Sequence, residues 1–569
     1  MRTLLGRAWD PAAAVVVVLV AVFTVVGYSY RESESAELIA SSASAAAGAV
    51  IVGAGLAILV YLPLLGVFRL LDRRWADDGL EPTGIIPMRE AMRRWLLPSA
   101  GTILVGWLAW LLVHFPGNVD SDTITQKLQW LGLQNQTDHH PWFDTMVFGL
   151  FWNLGDALGD DRWGLFIYLL LQEAATAGGV ALVLVYLSRL GMPSVARWAL
   201  TVAVAVLPAF VMAPSVMSKD AFAAVFWLPF LVLFAESLRT RGAVLARPRV
   251  ALAAIAVTTL LILSKRTSLY LVLICAVVLV VVVSRALRVR IGLTVAGVLA
   301  LTGLAWPMLL VSAWGITPGT STDMMTVPVQ QTARIAAEHG DEIPEEERAA
   351  IDAVLRWDGL AEAYVPTRSD SVKGRWNLES TTGQKLEYFR VWAAQVIRYP
   401  ATAASATIAN TYEYFAPVTR LSMQNTLSLD QYIDFWTSRS LETTSRAEVE
   451  AIADALYEPA ALDGARSTMN DLTIAFNEGN LLSSKALYAS LIPLAALAYA
   501  IRRRSWLHVL MLVPLFVTLA FLVASPIALS RYIIPMIHGA VFVVGITLTP
   551  MRWERRSGSG SRASVSEAA

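Results

Sequence analysis

Apolar runs long enough to cross a bilayer alternate along this chain with short polar connections that carry arginines or acids. With roughly 20 apolar residues needed per helical crossing, the runs fall at 11–30, 47–71, 95–114, 163–187, 196–214, 221–238, 250–264, 267–284, 291–313, 483–501, 505–524 and 531–549. The pattern predicts an all-α polytopic membrane protein with about 12 transmembrane helices. The first run follows Arg2 and Arg7 as in a signal peptide. No small-residue cleavage site closes it before Tyr28-Ser-Tyr-Arg31, so a retained first span is expected. A further run, Trp142 to Leu158, ends in Gly-Asp-Ala-Leu-Gly-Asp-Asp, and the next span starts at once. It reads as a helix in the membrane interface, not as a thirteenth span.

These runs divide the chain. Residues 1–94 hold two N-terminal spans and a cytoplasmic loop, 95–314 a transmembrane core with a polar loop at 115–145, and 483–550 three C-terminal spans. Between them, 315–482 is polar with periodic apolar positions and tryptophans at 357, 376, 392 and 436, which predicts a mostly helical extramembrane domain. Pro344 followed by Glu345-Glu-Glu reads as a helix first turn, where acids suit the dipole. The Ser/Gly-rich tail, 551–569, is expected to be disordered and cytoplasmic. Clusters at Arg69/Arg73/Arg74/Arg89/Arg93/Arg94, Arg189/Arg197, Arg239/Arg241/Arg247/Arg249, Arg285/Arg288/Arg290, Arg502–Arg504 and Arg552/Arg555/Arg556 fall in alternate connections. Positive residues stay inside, so both termini are expected in the cytoplasm and 115–145 and 315–482 outside a plasma membrane.

Composition narrows the chemistry. A net charge of zero gives no basic field for nucleic acid, so none is expected as a partner. The single cysteine, Cys275, lies inside an apolar run and reads as core packing. Charged residues are only 16% of the chain and histidines number six, yet Asp120, Asp122, Asp138, His139 and His140 crowd one loop. A carboxylate there can act as general base, and carboxylate with imidazole (Asp122, His139, His140) can hold a divalent cation, Mg or Mn, against a leaving phosphate. The bland reading is that Asp122, followed by Thr123, Thr125 and Gln126, only caps a helix while the histidines meet lipid headgroups.

Three more turns place cations on the side that positive residues avoid: Ser218-Lys219-Asp220, Ser264-Lys265-Arg266 and Ser530-Arg531-Tyr532. Together they suggest an anionic ligand, a lipid phosphate or diphosphate. Singly, each could snorkel to phospholipid, and Lys219 could pair with Asp220 next to it. Glu173, in the fourth span, reads as an interior hydrogen-bonding group.

The order of these elements resembles the GT-C superfamily of polytopic glycosyltransferases: a span, an acid-bearing loop, a proline-started interfacial helix, further spans and an external domain. Phe115-Pro-Gly, Ser121-Asp-Thr-Ile-Thr-Gln126, Asp138-His-His-Pro141, Met217-Ser-Lys-Asp220, Val327-Pro-Val-Gln-Gln-Thr-Ala-Arg334 and Ser530-Arg-Tyr-Ile-Ile-Pro535 resemble landmarks of an uncharacterised bacterial GT-C-like family, from about residue 95 to 549. Where similar sequences read Pro-Asp-Ser, this chain has Ser121-Asp122-Thr123. The resemblance implies an inverting transferase using a polyprenyl-phosphate sugar, with Asp122 or the extra acid Asp120 as base. His139, His140, Lys219, Lys265, Arg266, Arg531 and Tyr532 would surround the donor phosphate, and the acceptor would be a cell-envelope glycan, lipid or protein. No Trp-Trp-Asp signature appears, which argues against protein N-glycosylation. Two alternatives share the residues: a non-enzymatic carrier or flippase of lipid-linked glycans, and a glycan polymerase or ligase.

Overall fold

A computed structural model describes residues 9–76, 86–319, 322–422 and 428–553; most of the expected disordered tail, from 554 on, lies outside the described residues. The fold is all-α apart from one two-residue parallel pairing. Every apolar run of the sequence is helical, but not all are equally long. Among the described residues seven helices are long and apolar enough to cross a membrane. These are Pro11–Ser33 (α1), Ala43–Ala76 (α2), Met88–Val113 (α3), Asp161–Arg189, Lys219–Arg239, Arg285–Trp314 and Ser530–Leu548. The other five runs are shorter apolar helices: Ser194–Val206, Pro248–Ser264, Ser268–Val282, Leu487–Arg502 and Val513–Val523.

Local chemistry sets the ends. Asp10 caps α1 by accepting from the Ala12 and Ala13 amides, with Pro11 in the first turn. After α3 come strand β1 (Asn118–Val119), helix α4 (Ser121–Trp130) and helix α5 (Trp142–Leu158), which follows Pro141 as expected. α5 turns back onto the long helix α6 (Asp161–Arg189) through Gly159 in the left-handed region. The two pack closely because a Cβ at Gly164 would stand 2.1 Å from the Phe151 carbonyl oxygen. Strand β2 (Val216–Met217) leads into helix α7 (Lys219–Arg239), capped by the Ser218 hydroxyl.

One end of the helix bundle gathers the arginine connections. Arg74 donates to the Gly191 carbonyl at 2.5 Å, Arg189 and Arg239 share Glu236, and Arg241 stacks over Trp553. The same end ties the first helices to the late ones: Arg502 pairs with Asp10 at 2.5 Å and with Asp72 at 2.6 Å. At the opposite end sit the 115–145 loop and the helical region from Thr326 to Asn477. Pro344 does precede a helix, Glu345–Asp352, and a buried cluster around Val329, Ile351, Leu355 and Tyr388 forms the core of that region's first half. Its second half includes helix α8 (Leu429–Thr437), whose Tyr432, Ile433 and Trp436 share a core with Ile124 and Leu128 of α4 and Phe148 of α5. Cys275 is buried among apolar side chains, as its setting suggested.

Candidate functional site

The loop acids are placed by pairing between distant segments. β1 runs parallel to β2, with Asn118 beside Val216 and Val119 beside Met217. The Asp120 amide then donates to the Met217 carbonyl at 3.2 Å, and the Thr123 hydroxyl to the same oxygen at 2.8 Å. Gln172 of α6 holds the other strand by donating to the Pro214 and Val216 carbonyls at 2.7 and 3.0 Å. Beside it, Glu173 accepts from the Ser215 hydroxyl at 2.9 Å, the interior role its position suggested. The start of α4 is thereby fixed to the start of α7.

Asp120, not Asp122, is the helix cap: it is extended at φ −77°, ψ 157°, and accepts from the Ser121 amide. Asp122 is in the first turn of α4, free of any capping duty, and both acids converge on Arg531, in the first turn of the last long helix. Arg531 pairs tightly with Asp120 and lies 3.0 Å from Asp122. The Lys219 ammonium is 2.8 Å from the same Asp122 oxygen, so the pair it forms is this one and not the alternative, local pair with Asp220. Asp220, fully buried, pairs instead with Lys265. His140 completes the set, with Nδ1 3.6 Å from Asp122 and 3.2 Å from the Lys219 ammonium.

Electrostatics follow the geometry. Burial works to raise the Asp122 carboxyl, but Lys219 and the neighbouring imidazoles outweigh it and hold the group down at about 2. Asp122 is therefore a carboxylate clamped by cations, with 18% of its side chain still open. Arg531 Nε, by contrast, is buried with no acceptor among the described residues. A buried guanidinium donor without a partner costs free energy unless an incoming oxygen completes it.

The His loop is a second layer. Arg266 pairs with Asp138 through both its carboxylate and its backbone carbonyl, and Asp138 also accepts from the Trp142 amide at 3.0 Å. Burial raises the Asp138 carboxyl, and Arg266 opposes that shift without cancelling it. The strap 316–319 closes behind: Asp138 donates its amide to Thr317 at 2.8 Å, and a Cβ on Gly319 would meet the Asp138 carbonyl oxygen at 2.5 Å. His139 is exposed, with its ring edge-on to His140 at 4.8 Å. Tyr532 lies under the Arg531 guanidinium, 5.1 Å from centroid to Cζ.

The expected divalent-cation set does not fit this arrangement. Among the described residues no three His, Cys, Asp or Glu side chains are placed to hold a metal ion together, and the Lys219 ammonium lies between Asp122 and His140. The lysine already supplies the positive charge there.

Two groups escaped the sequence reading. Asp144, in the first turn of α5, is fully buried with neither carboxylate oxygen partnered among the described residues. Burial raises it well above the usual carboxylate range, Lys219 opposes, and Asp220 and Asp138 add to the rise. Its burial thus favours the protonated form, the opposite of the push on Asp122. The other is Arg439, just after α8, where the Leu441 amide donates to the Leu133 carbonyl at 2.9 Å and draws the turn onto the site loop. An acid in the first turn of an apolar helix with no cation one turn on (Val147, Phe148) was a readable signal for Asp144; no local pattern marks Arg439.

A family model described as a family of unknown function (DUF6020) matches residues 132–563. The match takes in the histidines and every cation of the site and leaves Asp120 and Asp122 before its first residue. No curated protein and no solved structure matches the chain.

Proposed function

We propose, for a chain that belongs to this family of unknown function, that it is a membrane glycosyltransferase moving a sugar from a polyprenyl-phosphate donor to an acceptor hydroxyl at the extracytoplasmic face. The observation that carries the reading is the Asp122 carboxylate set between Arg531 and Lys219, beside a buried Arg531 Nε that has no acceptor among the described residues. That vacancy suits a phosphate oxygen, since charge-assisted bonds to arginine are among the strongest available. The fold alone would not suffice, because folds do not fix function.

The acceptor oxygen attacks the sugar's anomeric carbon, and the bond from that carbon to the phosphate oxygen breaks, its electron pair leaving on the polyprenyl phosphate. Asp122 takes the acceptor's proton, and Arg531 and Lys219 meet the negative charge that grows on the leaving phosphate. A carboxylate held at about 2 is a weak base. As the phosphate draws Arg531 and Lys219 to itself, the clamp on Asp122 loosens and its basicity rises, so donor binding itself readies the base. The arginine-rich opposite end supports a cytoplasmic placement for that end and for both termini, with the site and the 315–482 region outside a plasma membrane. The twelve apolar helices would all cross, the five shorter ones thinning or tilting against their neighbours.

The test is a panel of polyprenyl-phosphate sugars given to the purified protein, wild type beside Arg531→Ala. Turnover of one donor that falls at least tenfold in the variant is the expected result. Binding of donors without any turnover would overturn the enzyme reading in favour of a carrier.

A further inference from the structure

Among the described residues four arginines lose nearly all their surface to the fold, and three of them are paired. Arg239 meets Glu236, Arg334 meets Glu338, and Arg466 meets Glu458 and Asp463. Arg197, only 6% exposed, is the exception. Its guanidinium has no carboxylate and no hydrogen-bond acceptor among the described residues, and its buried Nε is without a partner. Two indoles cover it instead, Trp95 at 4.6 Å and Trp198 at 5.7 Å from ring centroid to Cζ. Rings satisfy the flat faces of a guanidinium and leave its N–H edge in need of an oxygen. A buried cation left so is costly unless an acceptor arrives from outside the chain.

The surroundings say what that acceptor is attached to. Trp95 is near the start of α3, and Arg197 and Trp198 are near the start of the helix Ser194–Val206. The two helices run side by side in the same direction: Trp107 donates to the Val204 carbonyl at 2.9 Å, and a Cβ on Gly106 would stand 2.3 Å from the Ala205 carbonyl oxygen. Both starts therefore lie at the arginine end, where Arg74 meets Gly191. There Leu97, Val195 and Trp198 are exposed, an apolar flank with a tryptophan at its rim, as at a membrane interface. Arg89, Arg93 and Arg94 stand in the first two turns of α3 with one acid, Glu90, so the entrance is positive.

The structure assigns Arg197 as the centre of a binding site for an anionic phospholipid, its guanidinium edge donating to the phosphodiester oxygens while the acyl chains lie along the exposed apolar side chains. The site is at the end opposite Asp122 and does not depend on the transferase reading.

The experiment measures binding of dioctanoyl phosphatidylglycerol to the full chain in a non-ionic detergent by native mass spectrometry, for wild type, Arg197→Gln, Arg197→Lys and Arg249→Gln. Arg249 is an exposed arginine of the same end, so its variant reports on surface charge in general. The expected result is a Kd weakened about tenfold or more by Arg197→Gln. Arg197→Lys should recover part of the loss, and Arg249→Gln should change the Kd less than about twofold. Dioctanoylglycerol, inorganic phosphate and dioctanoyl phosphatidylcholine should each compete weakly. Phosphatidylglycerol should also raise the thermal midpoint of wild type and not that of Arg197→Gln, whose own midpoint shows that it is folded. Wild-type affinity in Arg197→Gln, or an equal loss in Arg249→Gln, overturns the site. Equal competition by inorganic phosphate overturns a lipid as its source, and equal competition by phosphatidylcholine overturns the anionic headgroup. No binding and no stabilisation of wild type overturn the whole assignment, whatever becomes of the variants.

Discussion

At the scale of the residue, the carboxyl groups of the site are pushed apart by their surroundings. Asp122 is held at about 2 against an ordinary 3.8, and Asp144 is raised well above it. The depressed group favours the fold above the unfolded value, and that contribution is lost as pH falls from about 4 through about 2. The raised group has the opposite sign: it costs nothing below the unfolded value and increasingly destabilises the fold as pH rises towards its folded value. Asp144→Asn keeps the shape and removes the ionisation. It should raise the thermal midpoint at pH 8 relative to wild type and leave it nearly unchanged at pH 4. A midpoint lowered at pH 8 would show an ionised, partnered Asp144 instead. The sequence made the Asp122, His140, Lys219 and Arg531 group legible because scarce polar groups stood out against apolar surroundings. It could not tell cap from free acid, because the extended backbone at Asp120 is set by a strand almost 100 residues away.

At the scale of the element, the two-residue β1–β2 pairing and the Gln172 side chain position Asp120 and Asp122. Gln172→Leu would leave the Pro214 and Val216 carbonyls without their donor. Buried groups left so cost about 1–3 kcal/mol. A lower thermal midpoint with weakened prenyl-phosphate binding is the expected outcome, and an unchanged affinity would show that β2 holds Lys219 without that clamp. Helix identity was legible all along the chain, but helix length was not. Proline is the reason in part: Pro208 follows the break that ends Ser194–Val206, and Pro493 follows the widened turn Leu487–Leu491. A ring without an N–H and with a clash one turn back is met by opening the helix, and apolar composition carries no trace of that adjustment. α5 was read as a helix from its pattern, and the glycines that fold it back on α6 became meaningful only with the contact in view.

At the scale of the whole molecule, the arginine pairs that tie helices together and the acid–cation cluster around Asp122 lie at opposite ends. The arginine end binds early helices to late ones through Asp10, Asp72 and Arg502, far from Asp122 in the fold. Asp72→Ala should lower stability by about 1–2 kcal/mol, as for a partly open charged hydrogen bond, and leave prenyl-phosphate affinity as it was. Weakened affinity would mean that the two ends are coupled. Arginine placement made this division legible, whereas the closure of the turn after α8 on the site loop was hidden, since Leu133 lies some 300 residues before Leu441. The central claim, that Asp122 removes a proton during sugar transfer, is tested most directly by single-turnover release of polyprenyl phosphate from an accepted donor, wild type against Asp122→Asn, both saturated. The account expects release slowed by about 10²-fold or more with donor binding retained; equal rates in the two proteins would contradict it.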